Sequence, residues 1–433
     1  MIQALKQTYI KYNPPAFKSA GLPGGVKFLD GFVKSQENLS VTRFIQDTTT
    51  NWLPKSALSR SKADFWEFSF LEFAESGLFY FAAPFLGEHV YRKGLFKKFQ
   101  PEKFREDIDK NITQTLEQIK NSKLNSTLKN RIITAKGGLV LACLAVPVLE
   151  YALSFAKNLF TLKLFKVSDF NNIANLNKDK KEDINQQNRV ETHAKKELIK
   201  AGILSAAGVI GGLALALTGH RSNAPVKFSE TLLEPGKKIS GLLHKFGISS
   251  PNIDRFLGEY LKLDFLNRNG KLALSKGQLA VICTTGLFGY SQAAKDRGKL
   301  DFYEVWTRVP LVVLYTIFGS SVLDAGFKKI LAGKGKFPEL IKKDKNGFIN
   351  VPSSNELPRI AENLAKKNNT SVDKELSRLI KQKSVITGIP YIFGMAVMGF
   401  TLTAITRLWT KYRYNRLQRF NNDNIKNKEF ILG

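Results

Sequence analysis

The sequence predicts an all-α fold, a polytopic helical membrane protein with about five or six apolar helices and basic amphipathic helices in the loops. Five stretches carry almost no charge, and most approach the roughly 18 apolar residues that cross a bilayer core of about 30 Å as a helix. These stretches are Gly137–Ala156, Ala201–Gly219, Gly277–Ala294, Val309–Leu323 and Ser384–Thr406. The chain of 433 residues also holds 66 Lys and Arg against 37 Asp and Glu, a formal net charge of +29. Beside apolar helices, such a charge favours contact with anionic lipid head groups.

Changes in composition divide the chain into six segments. They are a basic, loop-rich N-terminal arm (1–63), an aromatic-rich helix with a basic loop and the first apolar helix (64–165), a polar linker (166–200), central apolar helices with an amphipathic insert at 220–276 (201–332), a polar helical insert (333–383), and the last membrane helix with a basic aromatic tail (384–433). Short hairpins are expected at Asn269-Gly270 and Asn346-Gly347, because Asn-Gly favours a tight hairpin turn. Amphipathic helices are expected near Ser229–Lys245, Asn252–Lys262, Leu357–Lys366 and Ser371–Gln382.

The segment Asp64–His89 is unusual because it is dense in phenylalanine and still carries acids. It reads DFWEFSFLEFAESGLFYFAAPFLGEH and includes Glu67, Glu72 and Glu75. A charge at the centre of a membrane helix costs about 2.5–3.5 kcal/mol, so three acids offset most of the apolar gain. Either the segment lies in the membrane interface, or its acids face a protein interior.

Acids in or near apolar stretches are the candidates for a proton or cation site. Glu72 and Glu75 lie one helical turn apart, and like charges so close favour a raised pKa for one of them. Glu150 and Asp324 are further candidates, with Arg308 as a counter-ion. The alternative is structural: the acids pair with basic residues of Tyr91–Arg105, and the Phe-rich helix is an anchor.

Two clusters of basic and aromatic residues, Tyr91–Arg105 and Arg407–Phe420, are typical of a membrane interface. The residues expected to contact lipid head groups are Arg92, Lys93, Lys97, Lys98, Lys411, Arg413, Arg416 and Arg419. If both clusters touch the same leaflet, one of the five apolar stretches does not cross. Gly137–Ala156, with Pro147 and Glu150, is expected to form a re-entrant or surface hairpin; alternatively Gly277–Ala294 is partly interfacial.

Small residues recur at four-residue spacing within Ala201–Gly219, a pattern typical of closely packed membrane helices. They are Gly202, Ala206, Gly208 and Gly212. We expect this stretch and Ser384–Thr406 to pack in a common bundle.

Catalytic signatures are missing from the sequence. It has no phosphate-binding Gly-x-x-x-x-Gly-Lys-Ser/Thr, no His-Glu-x-x-His and no Gly-x-Ser-x-Gly. We therefore expect no catalytic residues, no cofactor and no metal. The sequence favours a non-catalytic integral membrane protein, in a bacterial cytoplasmic or an organellar membrane, that organises anionic lipid or partner proteins.

Two other classes of function stay open. The first is a transporter or channel that uses the intramembrane carboxylates. The second is either a membrane enzyme that acts on lipid or a soluble, basic helical protein that binds nucleic acid. Nucleic acid is the less favoured partner, because the positive charge is spread through every loop and not gathered on one face.

Overall fold

The computed structural model describes residues 22–37, 44–45, 48–82, 85–177, 182–268, 271–343 and 349–432. It is 83% helical with almost no strand. The all-α prediction is therefore confirmed.

The elements follow one another in chain order. The α-helices are α1 (Gly24–Glu37), α2 (Leu53–Ala57), α3 (Lys62–Gly77), α4 (Lys97–Phe99), α5 (Glu102–Asn111), α6 (Leu116–Asn121), α7 (Ser126–Cys143), α8 (Ala145–Phe165), α9 (Phe170–Ile173), α10 (Ile184–Thr218), α11 (Asn223–Leu233), α12 (Pro235–Lys245), α13 (Pro251–Tyr260), α14 (Lys276–Arg297), α15 (Lys299–Leu314), α16 (Ser320–Gly333), α17 (Leu357–Asn368), α18 (Val372–Gly394) and α19 (Leu402–Leu432). Wider π-helical turns are Thr48–Trp52, Leu78–Ala82, Leu86–Phe96, Tyr315–Gly319 and Met395–Thr401, and 3-10 turns are Gly219–Arg221 and Ser354–Glu356.

Side-chain caps explain where several of these helices begin. Asn125 accepts a hydrogen bond from the backbone N–H of Leu128 at the start of α7, over 2.7 Å. Ser275 and Gln278 form a reciprocal capping box at the start of α14. Such caps satisfy backbone donors that the first helical turn leaves without a partner.

The described part of the chain also contains four short strands. β1 (Leu266–Arg268) pairs antiparallel with β2 (Lys271–Ala273), and β3 (Lys342–Lys343) pairs antiparallel with β4 (Ile349–Asn350). The strands of both predicted hairpins are thus observed. The Asn-Gly turns predicted at 269–270 and 346–347 lie outside the described residues.

The chain forms two compact units. The first comprises the described parts of Met1–Leu39 and Asp324–Pro390. Its core is aliphatic and joins α1 to α17 and α18; the central side chains are Leu22, Val26, Leu340, Leu357 and Leu379. The polar helices predicted near Leu357–Lys366 and Ser371–Gln382 are observed here as α17 and the beginning of α18.

The second unit comprises the described parts of Ser40–Leu323 and Tyr391–Gly433. Its largest core lies around α7, where Ile132 and Leu139 are buried with Ile112 and Leu233. Helix α10 packs along α7 and α8, and α14 packs between α8 and α15. Residues 184–200, expected in a polar linker, instead form the first half of α10.

Among the described residues, four helical segments are long and apolar enough to cross a membrane, whereas the sequence predicts five or six apolar helices. They are Ser126–Phe165, Ile184–Arg221, Lys299–Gly333 and Val372–Phe420. The stretch Gly277–Ala294 forms most of α14 but is not among them. Its glutamine, threonine and serine residues lower its mean hydropathy, and its small residues are buried against neighbouring helices.

The expected hairpin at Gly137–Ala156 is wrong. α7 ends at Cys143 and α8 begins at Ala145, so Ser126–Phe165 forms one nearly continuous helical segment of 40 residues. Pro147 lies in the first turn of α8, where its missing N–H breaks no helical hydrogen bond. The most apolar part of this segment is 72% buried, which makes it the central helix of the second unit.

Candidate functional site

Helix α3 turns its acids inward and its large aromatic rings outward. Asp64, Glu67 and Glu72 are buried, whereas Trp66 is 52% exposed and Phe73 is 45% exposed. Of the two arrangements expected for this segment, the structure has the one in which acids face the protein interior. Charged side chains are almost never fully buried unless they are paired, so these three acids require partners.

Glu67 is held by three neighbouring side chains. Its Oε2 lies 2.7 Å from Nη1 of Arg297 and accepts a hydrogen bond from Thr161 Oγ1 over 2.7 Å. Its Oε1 lies 3.3 Å from Lys157 Nζ. Burial alone would raise the pKa of Glu67, but the charges of Arg297 and Lys157 and these hydrogen bonds lower it to about 2. Glu67 is therefore held in its ionised form.

Arg297 links Glu67 to the next acid. Its Nε lies 2.8 Å from Oδ2 of Asp301, and its Nη1 donates to Asn158 Oδ1 over 3.2 Å. The guanidinium is among the largest fully buried side chains of the described structure. One arginine thus ties together α3, α8 and α15.

A second arginine connects α3 to the same helix, α15. Arg60 donates from Nη1 and Nη2 to the two carboxylate oxygens of Glu304, over 2.8 and 3.0 Å. Its backbone N–H donates to Asp64 over 2.9 Å. Two parallel bonds between a guanidinium and a carboxylate form one of the strongest ion-pair geometries in proteins.

Helix α19 completes this arrangement. Arg407 donates from Nη2 to Asp64 over 3.3 Å and to the backbone oxygen of Lys55 over 3.0 Å. Thr410 donates to Glu304 over 2.7 Å.

Lys55 itself pairs with Glu72. Burial lowers the pKa of Lys55, although the charge of Glu72 opposes this effect.

We call these charged residues the ion cluster. It consists of the acids Asp64, Glu67, Glu72, Asp301 and Glu304 and the bases Lys55, Arg60, Lys157, Arg297, Arg308 and Arg407. All of them belong to the second unit.

Helical periodicity explains how α15 and α19 contribute. Asp301, Glu304 and Arg308 follow at spacings of three and four residues, as Thr403, Thr406 and Thr410 do on α19, and such residues share a helix face. The opposite faces carry exposed apolar and aromatic side chains: Tyr303, Trp306, Leu311 and Leu314 on α15, and Ile405, Leu408, Trp409 and Tyr412 on α19. The bundle is therefore polar at its centre and apolar on this part of its surface.

The four predicted proton or cation carboxylates lie in different surroundings. Glu72 belongs to the ion cluster, and Glu75 is half-buried one turn further along α3. Glu150 is buried on α8, where it faces α14. Asp324 is 41% exposed at its side chain and pairs with Lys328 over 2.6 Å. A proton or cation role for these acids stays a prediction.

The predicted head-group contact of Arg92 needs correction. Arg92 is buried, and its guanidinium lies 2.9 Å from Glu88 and 3.0 Å from Asp109. A cation so enclosed by two carboxylates is not open to lipid. The three buried acids of α3 likewise do not rely on Tyr91–Arg105, because the partners of Asp64, Glu67 and Glu72 are members of the ion cluster.

The other predicted head-group contacts lie at the surface to different degrees. Lys93, Lys98, Lys411, Arg416 and Arg419 are exposed, and Lys97 is partly exposed; Lys93 pairs with Glu88 and Lys97 with Asp109. Arg413 stacks over the rings of Tyr303 and Trp409, with 4.5 and 5.0 Å from its guanidinium carbon to the ring centres. These seven residues remain available to the role that the sequence predicts.

The small residues of α10 divide into two groups. A Cβ added at Gly212 would lie 2.3 Å from the backbone oxygen of Gly138, and one at Gly208 would lie 3.3 Å from that of Leu141. Gly202 and Ala206 are exposed, and a Cβ at Gly202 would meet nothing within 4 Å. The close contact of α10 is therefore with α7. The expected packing with Ser384–Thr406 is replaced by packing on α7 and α8, while α19 packs on α15.

Sequence reasoning missed most of the ion cluster. Arg60 and Asp64, and Arg297 and Asp301, are spaced four residues apart, which is a local signal for an ion pair on a helix. That spacing occurs on many exposed helices and does not distinguish a buried pair. No protein-family model, curated protein or solved structure matches this chain.

Proposed function

We propose that this chain is an integral membrane protein that organises anionic lipid or partner proteins and performs no catalysis. The observation that carries the proposal is the polarity of the bundle formed by α3, α15 and α19, where ions lie inside and apolar side chains are exposed on the outer faces. In the apolar windows of Ile184–Arg221 and Lys299–Gly333, only 17% and 0% of residues are buried inside the protein. Exposed apolar faces of this length need a cover, and a lipid bilayer supplies one.

The ion cluster supports a structural role for the buried charges. Lipid gives packed helices no hydrophobic driving force, so interhelical polar contacts help to hold them together. Each of the three buried acids of α3, Asp64, Glu67 and Glu72, is engaged by an arginine or a lysine from another part of the chain. A carboxylate held ionised by arginine, as Glu67 is, does not readily exchange protons near neutral pH. This favours an anchor over a proton carrier.

The basic end of α19 supports contact with anionic lipid. Lys411, Arg416 and Arg419 are exposed beside the exposed rings of Trp409 and Tyr412. Aromatic and basic side chains together are enriched at the level of lipid head groups. Each Lys or Arg near an anionic surface contributes about 1 kcal/mol to binding.

Extraction of cell membranes with alkaline carbonate tests the membrane proposal. We expect the full chain to stay in the membrane pellet, because peripheral proteins are released and helices inserted in lipid are not. The double substitution Ile203→Asp and Ile210→Asp charges the exposed face of α10, where both side chains are more than 60% exposed. It should move much of the protein to the soluble or aggregated fraction, since each charge costs about 2.5–3.5 kcal/mol at the centre of a membrane helix.

The matched control is Ile184→Asp, at the polar start of α10, where the side chain is 72% exposed. We expect it to behave as the wild type. If the wild type is released by carbonate, or if both variants behave alike, the chain does not use this face to cross a membrane.

Lipid preference tests the second part of the proposal. Detergent-solubilised wild type should retain more phosphatidylglycerol than phosphatidylcholine when bound lipid is counted by native mass spectrometry. Replacing Arg413, Arg416 and Arg419 with Gln should remove most of this preference, and added salt should do the same, because exposed charges are screened beyond about 8 Å at physiological ionic strength. The control removes three positive charges from α17 through Arg359→Gln, Lys366→Gln and Lys367→Gln, and should keep the preference. Equal retention of both lipids by the wild type would contradict the proposal.

A further inference from the structure

Arg308 is the member of the ion cluster whose charge is not matched by a direct contact. It lies on the inward face of α15 and is only 8% exposed. Its Nη2 has no hydrogen-bond partner, and none of the described carboxylates forms an ion pair with its guanidinium. A buried charge without a partner is costly and rare in a native protein, so this arginine requires an explanation.

The nearest acids are already engaged by other residues. Glu72 pairs with Lys55, and Glu304 holds both outer nitrogens of Arg60. These two carboxylates and Asp64 act on Arg308 through the field of their charges and not through a described contact. Four acids and three bases of the ion cluster are buried and its other members are half-buried, so the misfit at Arg308 is a missing local partner and not an excess of positive charge.

A second guanidinium nitrogen without a hydrogen-bond partner in the described structure lies on α19, the helix that packs on α15. Nη1 of Arg407, on the neighbouring helix α19, is buried and has no hydrogen-bond partner in the described structure, although its Nη2 binds Asp64. The charges of Arg308 and Arg407 act on each other. Arg308 and Arg407 thus each hold a buried guanidinium nitrogen without a hydrogen-bond partner in the described structure, and such nitrogens can donate to an anion.

We propose that Arg308 and Arg407 bind a phosphate group in the ion cluster. Guanidinium groups present planar N–H donors that match the oxygens of phosphate, and arginine is the usual residue for this recognition. The phosphate belongs either to an anionic phospholipid or to free inorganic phosphate, since both present the same oxygens. This site is separate from the exposed basic end of α19 and does not rest on the proposed function.

If phosphate binds at Arg308, the thermal stability of the wild type and of Arg308→Gln should differ in opposite directions with and without phosphate. Without phosphate, the unpaired charge of Arg308 disfavours the folded state, so Arg308→Gln should unfold at a temperature equal to or above that of the wild type. With phosphate at 100 times its Kd, the folding equilibrium of the wild type shifts about 100-fold toward the folded state. Arg308→Gln should lose this shift.

The experiment is thermal unfolding of the purified full chain in a nonionic detergent, with inorganic phosphate and with phosphatidylglycerol as separate probes. Sodium chloride at matched ionic strength and phosphatidylcholine are the respective controls. Stabilisation by both probes identifies a site open to free phosphate, and stabilisation by phosphatidylglycerol alone identifies a lipid head group; both results support the proposal. Arg359→Gln, which removes an exposed arginine of α17, should respond as the wild type.

Three results would overturn the proposal. They are no stabilisation of the wild type by either probe, equal stabilisation by chloride, or an Arg308→Gln protein that is less stable than the wild type without any anion. The last would make Arg308 a structural counter-ion of the cluster.

If Arg308→Gln does not fold, Arg308→Lys is the second variant, because it keeps the charge and loses the planar set of N–H donors. It should bind phosphate about tenfold more weakly than the wild type. The triple substitution at Arg413, Arg416 and Arg419 should keep the response to phosphate, so this proposal and the lipid-surface proposal fail separately.

Discussion

Replacing Arg297 with methionine is expected to destabilise the folded protein by about 3–5 kcal/mol, the cost of breaking a buried ion pair from one side. Arg297 is fully buried between Glu67 and Asp301, so its loss leaves two enclosed carboxylates short of their main counter-ion. Methionine keeps most of the side-chain volume, and the measured change therefore reports charge more than packing. Unfolding in a mild detergent, followed by the helical signal in circular dichroism, gives the free energy.

Two further variants show whether the effect arises from the ion pair. Adding Glu67→Gln to Arg297→Met should recover part of the lost stability, because it removes the carboxylate that has lost its counter-ion. The effects of substitutions at two residues in contact are generally not additive. Arg359→Met changes an exposed arginine of α17 and should stay within about 0.5 kcal/mol of the wild type. A loss for Arg297→Met no larger than that of this control would contradict the structural role of the ion cluster.

The acid side of the pH profile gives an independent measure of the same pair. The pKa of Glu67 is lowered from 4.5 to about 2 in the folded protein, a difference that corresponds to roughly 3 kcal/mol. Because the folded-state pKa is the lower one, this stabilisation is complete above pH 4.5 and is lost as the pH falls toward 2. Glu67→Gln should show a smaller loss of stability over this window. A wild-type profile that is flat between these two pH values would contradict the assignment.

Replacing Gly212 with leucine is expected to cost about 3 kcal/mol or more, at the upper end of what overpacking costs. A Cβ at this position would lie 2.3 Å from the backbone oxygen of Gly138, and backbone atoms cannot move aside as the end of a side chain can. The two helices α7 and α10 would have to separate. Gly208→Leu should have a smaller effect, because its Cβ would lie 3.3 Å from the backbone oxygen of Leu141.

Gly202→Leu is the matched control on the same helix. It makes the same chemical change at an exposed position where a Cβ meets nothing within 4 Å. Leucine favours a helix more than glycine does, so this variant should be as stable as the wild type or up to about 1 kcal/mol more stable. Similar melting temperatures for Gly202→Leu and Gly212→Leu would show that α7 and α10 do not meet at Gly212.

Small residues at regular spacing predicted a close helix contact but not its extent or its partner. The pattern covers Gly202 to Gly212, yet only the second half of it meets a neighbour closely. A spacing of four places residues on one face and says nothing about which other helix approaches that face. The partner, α7, brings its own Gly138, which no pattern within α10 reveals.

The sequence by itself determined the all-α class, the positions of most apolar and amphipathic helices, and the excess of positive charge. These properties depend on residues within a few helical turns of each other, so the hydrophobic period and the composition of a segment are enough to predict them. It did not determine that Ser126–Phe165 would be a central, mostly buried segment, because a run of apolar residues looks the same whether lipid or protein covers it.

Only the tertiary structure decided which charges are buried and with which partners. Arg297 meets Glu67 across 230 residues of chain, and Arg60 meets Glu304 across 244. Arg92 and Arg416 look alike in the sequence, yet the first is enclosed by Glu88 and Asp109 and the second is exposed. The physical reason is that the energy of a charge depends on its surroundings and on the distance to the opposite charge, and both are set by helices far apart in the sequence.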